Sequence, residues 1–197
     1  MSTTHPLSSK IKVLAFDVFG TVVDWHGSIE REITALAPNI DADAFALAWR
    51  AGYQPAMQRV RSGELGWTRI DDLHRMILDD VLAKFRVSAL NEAEKAELNR
   101  VWHRLKPWPD TVRGLKRLKK KFPISTLSNG NVALLNNMAK NAGLPWDLIL
   151  SAEIFHHYKP DPETYLGVAE IFDIQPAEVM LVAAHEDDLD AAKHGGR

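Results

Sequence analysis

The chain has 197 residues, of which 46% are hydrophobic and 25% charged, with a net charge of -2 and no cysteine. That length supports one buried core with a small accessory domain. The charge is too small to gather nucleic acid or an anionic membrane, and the missing cysteines exclude disulfides, thiolate nucleophiles and zinc–thiolate sites. No apolar run is long enough to cross a bilayer. Met1 to Lys10 is polar and lacks an apolar h-region, so it reads as a disordered lead-in and the cytoplasm is the default compartment.

Lys12 to Phe16 is a nearly continuous apolar run ending at Asp17 and, shortly after, Gly20. This is the pattern of a buried parallel strand feeding a turn. Asp24 to Lys106 holds no strand pattern but several helical ones: Ser28 to Leu36, Asp41 to Arg61, Thr68 to Lys84 and Ala93 to Leu105. We expect residues 24–106 to form a helical cap inserted after the first strand and acting as a lid over the strand ends. From Pro107 the pattern alternates. A helix over Thr111 to Lys121 precedes a strand at Ile124 to Leu127, a helix over Val132 to Ala142 and a short strand at Leu148 to Ser151. A helix over Pro162 to Phe172 and a strand at Val179 to Ala184 follow. Strands alternating with helices predict an α/β fold with a doubly wound parallel sheet, built from residues 1–23 and 107–197. Ala191 to Gly196 reads as a helix closed by glycine, after which such a sheet would normally add a strand. The basic run Lys116 to Lys121 reads as a solvated helix face.

In open parallel sheets, ligands bind beyond the carboxyl ends of the strands. Here those ends carry Asp17 and Thr21, Ser128 and Asn129, and His185 to Asp188, while Lys159 sits in a proline-bounded loop before a helix. Alone, each has an ordinary explanation: an Asp after a strand caps a helix, and Ser-Asn-Gly is a turn. Together and in this order they predict one polar rim. The adjacent His156 and His157 point apart on any regular element and make a poor metal pair. Trp67, Trp102 and Trp108 read as packing residues, and Trp25 and His26 as linker or pocket wall.

Asp17-Val18-Phe19-Gly20-Thr21, Ser128-Asn129, Lys159-Pro160 and the acidic segment ending at Asp188 resemble the four ordered motifs of the haloacid dehalogenase superfamily. Phosphatases of that superfamily carry an acid two residues after the nucleophile to protonate a departing alkoxide. Here that position is Phe19, and a halide, being a weak base, leaves without a proton. The opening segment is similar to that of the type II 2-haloacid dehalogenases, as are Trp49-Arg50 in the cap and Tyr165 after Lys159.

The resemblance implies that Asp17 attacks the Cα of an (S)-2-haloalkanoate to form an aspartyl ester, which water hydrolyses to the (R)-2-hydroxyacid. It implies that Lys159 orients Asp17, that Thr21 bonds near it and that Asp188 handles the water. Ser128 with the N–H groups of Val18 and Phe19 would hold the substrate carboxylate, Arg50 and Asn129 would receive the halide, and Tyr165 and His185 would line the pocket. The small haloacid and water are the partners it implies, with no cofactor or metal, and a homodimer is the implied assembly. Three positions depart from the dehalogenase pattern: Ala183, His185 and Asp187 stand where a Ser, an Asn and an aromatic are usual. The acids at Asp187 and Asp188 leave open a magnesium-dependent phosphohydrolase that uses Asp17, the Phe19 carbonyl and one of them. A catalytically silent member that binds a small carboxylate is the third reading.

Overall fold

In a computed structural model describing residues 10–195, the chain enters through β1 (Val13–Phe16) and, after a tight turn, β2 (Val23–Asp24). Helices α1 (Trp25–Leu36), α2 (Ala42–Ala51), α3 (Tyr53–Arg61), α4 (Ile70–Lys84) and α5 (Glu92–Asn99) follow, then a 3-10 turn over Arg100–Arg104 and β3 (Lys106–Pro107). The alternating part runs α6 (Thr111–Leu118), β4 (Ile124–Ser128), α7 (Val132–Ala142), β5 (Leu148–Ser151), α8 (Ala152–Phe155) and α9 (Pro162–Ile171). After a 3-10 turn over Pro176–Glu178 it closes with β6 (Val179–Val182) and α10 (Glu186–Gly195). The lead-in through Ser9, and Gly196 at the end of the expected last helix, lie outside the described residues. Among the described residues no helix is long and apolar enough to cross a membrane.

Strands β5, β4, β1 and β6 form one parallel sheet in that order, so β1 is internal, with β4 and β5 added on one side of it and β6 on the other. The period of two along β1 explains the helices on both faces. Val13 and Ala15 pack with Leu127 of β4, Leu150 of β5 and Tyr165 and Val168 of α9. Leu14 and Phe16 belong to the larger cluster with Leu115 of α6 and Leu134, Leu135 and Met138 of α7.

Several boundaries differ from the sequence pattern for local reasons. The expected helix over Asp41 to Arg61 divides at Gly52, because Pro55 has no N–H for the Ala51 carbonyl. Gly52 also permits close packing on α4, since a Cβ there would lie 2.4 Å from Ile77 Cγ2. The expected helix over Ala93 to Leu105 begins at an Asn91/Glu94 capping box and tightens to a 3-10 turn at Arg100. At the base of the helical segment, β2 and β3 pair antiparallel (Val23 with Pro107, Asp24 with Lys106), a strand pair too short to show any period. The basic residues of Lys116 to Lys121 are all exposed, as expected; α6 ends at Leu118, and Lys119 bonds the Pro145 carbonyl at 2.8 Å and pairs with Asp147 at 2.7 Å.

An aromatic hub joins the helical segment to the turn after β1. Trp102, fully buried, meets the Phe19 ring edge-on at 5.8 Å and the Trp49 ring at 5.5 Å, and stacks on His74 at 4.1 Å. Trp49 Nε1 donates to the His74 carbonyl at 3.0 Å. Both His74 ring nitrogens are buried without a hydrogen-bond partner. Burial, with help from the Arg50 and His103 charges and against the pull of Asp71, pushes the His74 imidazole down to about 3 from an ordinary 6.5. The unfolded chain therefore takes up a proton near pH 6.5 that the folded chain refuses until about pH 3, and acidification through that window favours unfolding. A His74→Phe substitution retains the stack on Trp102 and removes the titration. Its urea midpoint should fall less than that of the wild type between about pH 7 and pH 5. Equal falls would show that His74 is not the acid-labile group.

Candidate active site

The central strand delivers Asp17 to the carboxyl edge of the sheet, where it is 6% exposed. The chain must turn back at once, and Gly20 at φ +86° supplies a backbone conformation that a side chain would strain. Val22 N–H then bonds the Val18 carbonyl at 2.9 Å. The N–H groups of Val18 and Phe19, just beyond Asp17, find no acceptor among the described residues.

Asp17 is held by both oxygens. Oδ1 accepts from Lys159 Nζ at 3.0 Å and Oδ2 from Thr21 Oγ1 at 2.8 Å. Thr21 Oγ1 in turn accepts from Ala184 N–H at 2.9 Å, which ties β6 to the turn after β1. Lys159 also donates to Asp188 Oδ2 at 2.5 Å, and the Tyr165 hydroxyl donates to Asp188 Oδ1 at 2.6 Å. Burial and the adjacent Asp188 carboxylate push the Tyr165 hydroxyl above its ordinary value, so it stays a proton donor. Pro162 at the first turn of α9 sets the helix that carries Tyr165.

Asn129, at the end of β4, fixes the loop that carries Lys159: its Oδ1 accepts from Lys159 N–H at 2.7 Å. Ser128 is fully buried, and its Oγ accepts from Gly130 N–H at 3.2 Å. His185 Nε2 lies 3.2 Å from the Phe19 carbonyl, which can only accept, so Nε2 carries the proton. Asp187 is exposed and lines the cavity mouth.

Across a cavity of about 490 Å³ from Asp17 stands Arg50, near the end of α2. Its guanidinium lies 4.2 Å from the centre of the Tyr53 ring and 5.9 Å from that of Trp25. Apart from these two rings, no side chain hydrogen-bonds or ion-pairs with it among the described residues. A cation held by ring faces alone keeps its N–H donors free for an anion.

Of the sequence-predicted residues, Asp17, Phe19, Arg50, Asn129, Lys159, Tyr165, His185 and Asp188 line the cavity, whereas the side chains of Val18, Thr21 and Ser128 do not. Trp25 stands beside Arg50, but His26 faces away to pair with Asp43 at 2.9 Å. His156 packs on Trp67 while His157 pairs with Asp161, so the two do not converge. Trp108 is 39% exposed and not a core residue; its Nε1 donates to the Gly20 carbonyl at 3.0 Å. Tyr53, Gln54 and Arg61 line the cavity without having been singled out in the sequence. The i, i+3 spacing from Arg50 to Tyr53 was available as a signal, while Arg61 looked like an ordinary basic helix end.

Of the oxygens that would bind magnesium in the phosphohydrolase reading, those of Asp17, Asp188 and the Phe19 carbonyl already have hydrogen-bond partners. Lys159 and Thr21 occupy Asp17, Lys159 and Tyr165 occupy Asp188, and His185 donates to the Phe19 carbonyl. The Lys159 ammonium bridges the Asp17 and Asp188 carboxylates, while Asp187, the alternative acid, is exposed at the cavity.

Residues 11–196 match the model of the haloacid dehalogenase-like hydrolase family. The crystal structure of the L-2-haloacid dehalogenase PA0810 is 46% identical and superposes with a TM-score of 0.90, covering 94% of this chain and 82% of that one. The L-2-haloacid dehalogenase from Xanthobacter autotrophicus, solved with chloropropionic acid covalently bound, is 26% identical. It has a TM-score of 0.84 and covers 94% and 75% of the two chains. A phosphoglycolate phosphatase of Neisseria meningitidis is 26% identical over 94% of this chain and 77% of its own. With a family model spanning nearly the whole chain and motif residues converging on one buried Asp–Lys–Asp cluster, the chain belongs to the haloacid dehalogenase-like hydrolases.

Proposed function

We propose that this hydrolase cleaves the carbon–halogen bond of short (S)-2-haloalkanoates, giving (R)-2-hydroxyacids through an ester on Asp17. The observation that carries the reading is Arg50, a guanidinium without a carboxylate partner facing the buried Asp17. Two features support it. Phe19, where a proton-donating acid would serve an alkoxide leaving group, turns its ring into the aromatic hub against Trp102. Two L-2-haloacid dehalogenase structures, at 46% and 45% identity, are also more similar to this chain than the phosphoglycolate phosphatase at 26%.

In the first step an Asp17 carboxylate oxygen attacks Cα in line with the carbon–halogen bond. The halide leaves with the bonding pair, and Arg50 with the Asn129 amide receives its charge. The unpaired N–H groups of Val18 and Phe19 hold the substrate carboxylate. Ser128 fixes the turn behind them by accepting from Gly130 N–H. In the second step water adds to the carboxyl carbon of Asp17 and the ester's carbonyl–oxygen bond breaks. The hydroxyacid thus departs with an oxygen that belonged to Asp17. Asp188, fixed by Lys159 and Tyr165, accepts the water proton and returns it to the departing alkoxide oxygen, and Thr21 keeps Asp17 oriented. His185 positions the Phe19 carbonyl and borders the substrate. Residues 24–106 act as a cap, supplying Arg50, Tyr53, Gln54 and Arg61 to a cavity whose nucleophile comes from the sheet. The reaction is proposed to need no metal, since the ammonium of Lys159 already bridges the two carboxylates.

Halide release from L-2-chloropropionate should persist in a chelator, and an aryl phosphate with magnesium should yield no phosphate. Magnesium-dependent phosphate release without halide release would overturn the proposal. An Arg50→Ala variant should lose about 100- to 1,000-fold in kcat, the range found when a donor to developing charge is removed. A loss confined to KM would mean that Arg50 binds the substrate without stabilising the leaving halide.

A further inference from the structure

The Lys159 loop is gripped from the helical segment as well as from the sheet. Arg61, the last residue of α3, sends Nη2 to the Lys159 carbonyl at 2.6 Å and to the Tyr158 carbonyl at 3.4 Å, while its Nε pairs with Asp161 Oδ1 at 3.1 Å. An exposed arginine–aspartate pair alone contributes little. This side chain is only 20% exposed, however, and two of its three contacts go to backbone carbonyls that the ion pair does not require. From the other side, Asn129, just beyond β4, takes the Lys159 N–H at 2.7 Å. The peptide groups on both sides of the Lys159 Cα are therefore fixed, one by the sheet and one by α3. The Lys159 ammonium spans 3.0 Å to Asp17 and 2.5 Å to Asp188, so rotation of either peptide moves it off one carboxylate.

We propose that Arg61 is a positioning residue, which holds the Lys159 backbone so that the ammonium stays between Asp17 and Asp188 and ties the lysine's placement to the seating of α3 over the site. The proposal rests on the reading of Asp17 as the nucleophile. Its geometric basis is the planar fork: Nε and Nη2 reach a carboxylate and a carbonyl at once, which a lysine at this position cannot do. Arg50 and Arg61 lie toward the ends of α2 and α3, which meet at Gly52. The leaving-group cation and the clamp on the lysine thus belong to one pair of packed helices.

The test uses Arg61→Ala, Arg61→Lys and Asp161→Asn in the full-length enzyme. Arg61→Ala should lose about 10- to 100-fold in kcat, the scale of an ångström-sized misplacement of a reacting group, with KM nearly unchanged. Added guanidinium should restore part of that loss without raising the thermal midpoint. Arg61→Lys should remain impaired, and Asp161→Asn, which leaves both carbonyl bonds in place, should stay close to wild type. Independently of turnover, the Lys159 amide should exchange its hydrogen faster in Arg61→Ala than in wild type. Unchanged kcat and unchanged exchange in Arg61→Ala would overturn the proposal, as would a loss reproduced by Asp161→Asn or one that guanidinium leaves untouched. Asp17→Asn is measured alongside. If it still releases halide, the nucleophile reading fails on its own account, whereas an inactive Asp17→Asn beside a fully active Arg61→Ala refutes only the clamp.

Discussion

The site depends on one ammonium between two carboxylates. Asp17, Lys159 and Asp188 have side chains only 9%, 9% and 11% exposed, so their charges interact across protein more than through water. Two carboxylates this close would repel each other, and the lysine turns that repulsion into attraction on both sides. Buried ion pairs recover their desolvation cost only when the remaining lone pairs are satisfied as well. Thr21 on Asp17 and Tyr165 on Asp188 meet that condition. The cluster carries a net charge of minus one, and the unpaired Arg50 opposite brings the pocket near neutrality before an anionic substrate enters.

Much of the surrounding fold exists to deliver these groups to one point. The central strand brings Asp17 to the edge of the sheet, and β6 brings the segment ending at Asp188 beside it. The β4 end places Asn129 under the lysine loop. The helical segment closes the fourth side, anchored by Trp102 against Phe19. Phe19 therefore has two consequences. It removes the acid that an alkoxide leaving group would need, and it ties the turn after Asp17 to the helices that present Arg50. His185 similarly takes up the Phe19 carbonyl with an N–H.

The sheet and its site were largely legible because both signals are local. Short apolar runs ending in polar residues mark the strands that deliver Asp17, Ser128 and the segment before Asp188, and four ordered motifs fix which strand ends converge. The helix over Val132 to Ala142 was equally plain, closed by Gly143 in the left-handed conformation. What sequence pattern missed is three-dimensional. The α2–α3 break follows from the absent N–H of Pro55. The β2–β3 pair is two residues long and has no period to read. Arg61 gains its place only when α3 packs over the lysine loop, nearly a hundred residues further along the chain. Ser128, expected at the substrate, is fully buried with its Oγ accepting from Gly130 N–H. Motif spacing reports which residues share an edge, but not which of them face the cavity.

The central claim is covalent catalysis by Asp17, and isotope placement tests it most directly. With enzyme in excess over L-2-chloropropionate in water enriched in oxygen-18, a single turnover should give hydroxyacid whose new oxygen is unlabelled, because it comes from Asp17. The label should appear in a peptide containing Asp17. Labelled product from that first turnover, with an unlabelled Asp17 peptide, would show that water attacks the substrate directly and would contradict the account.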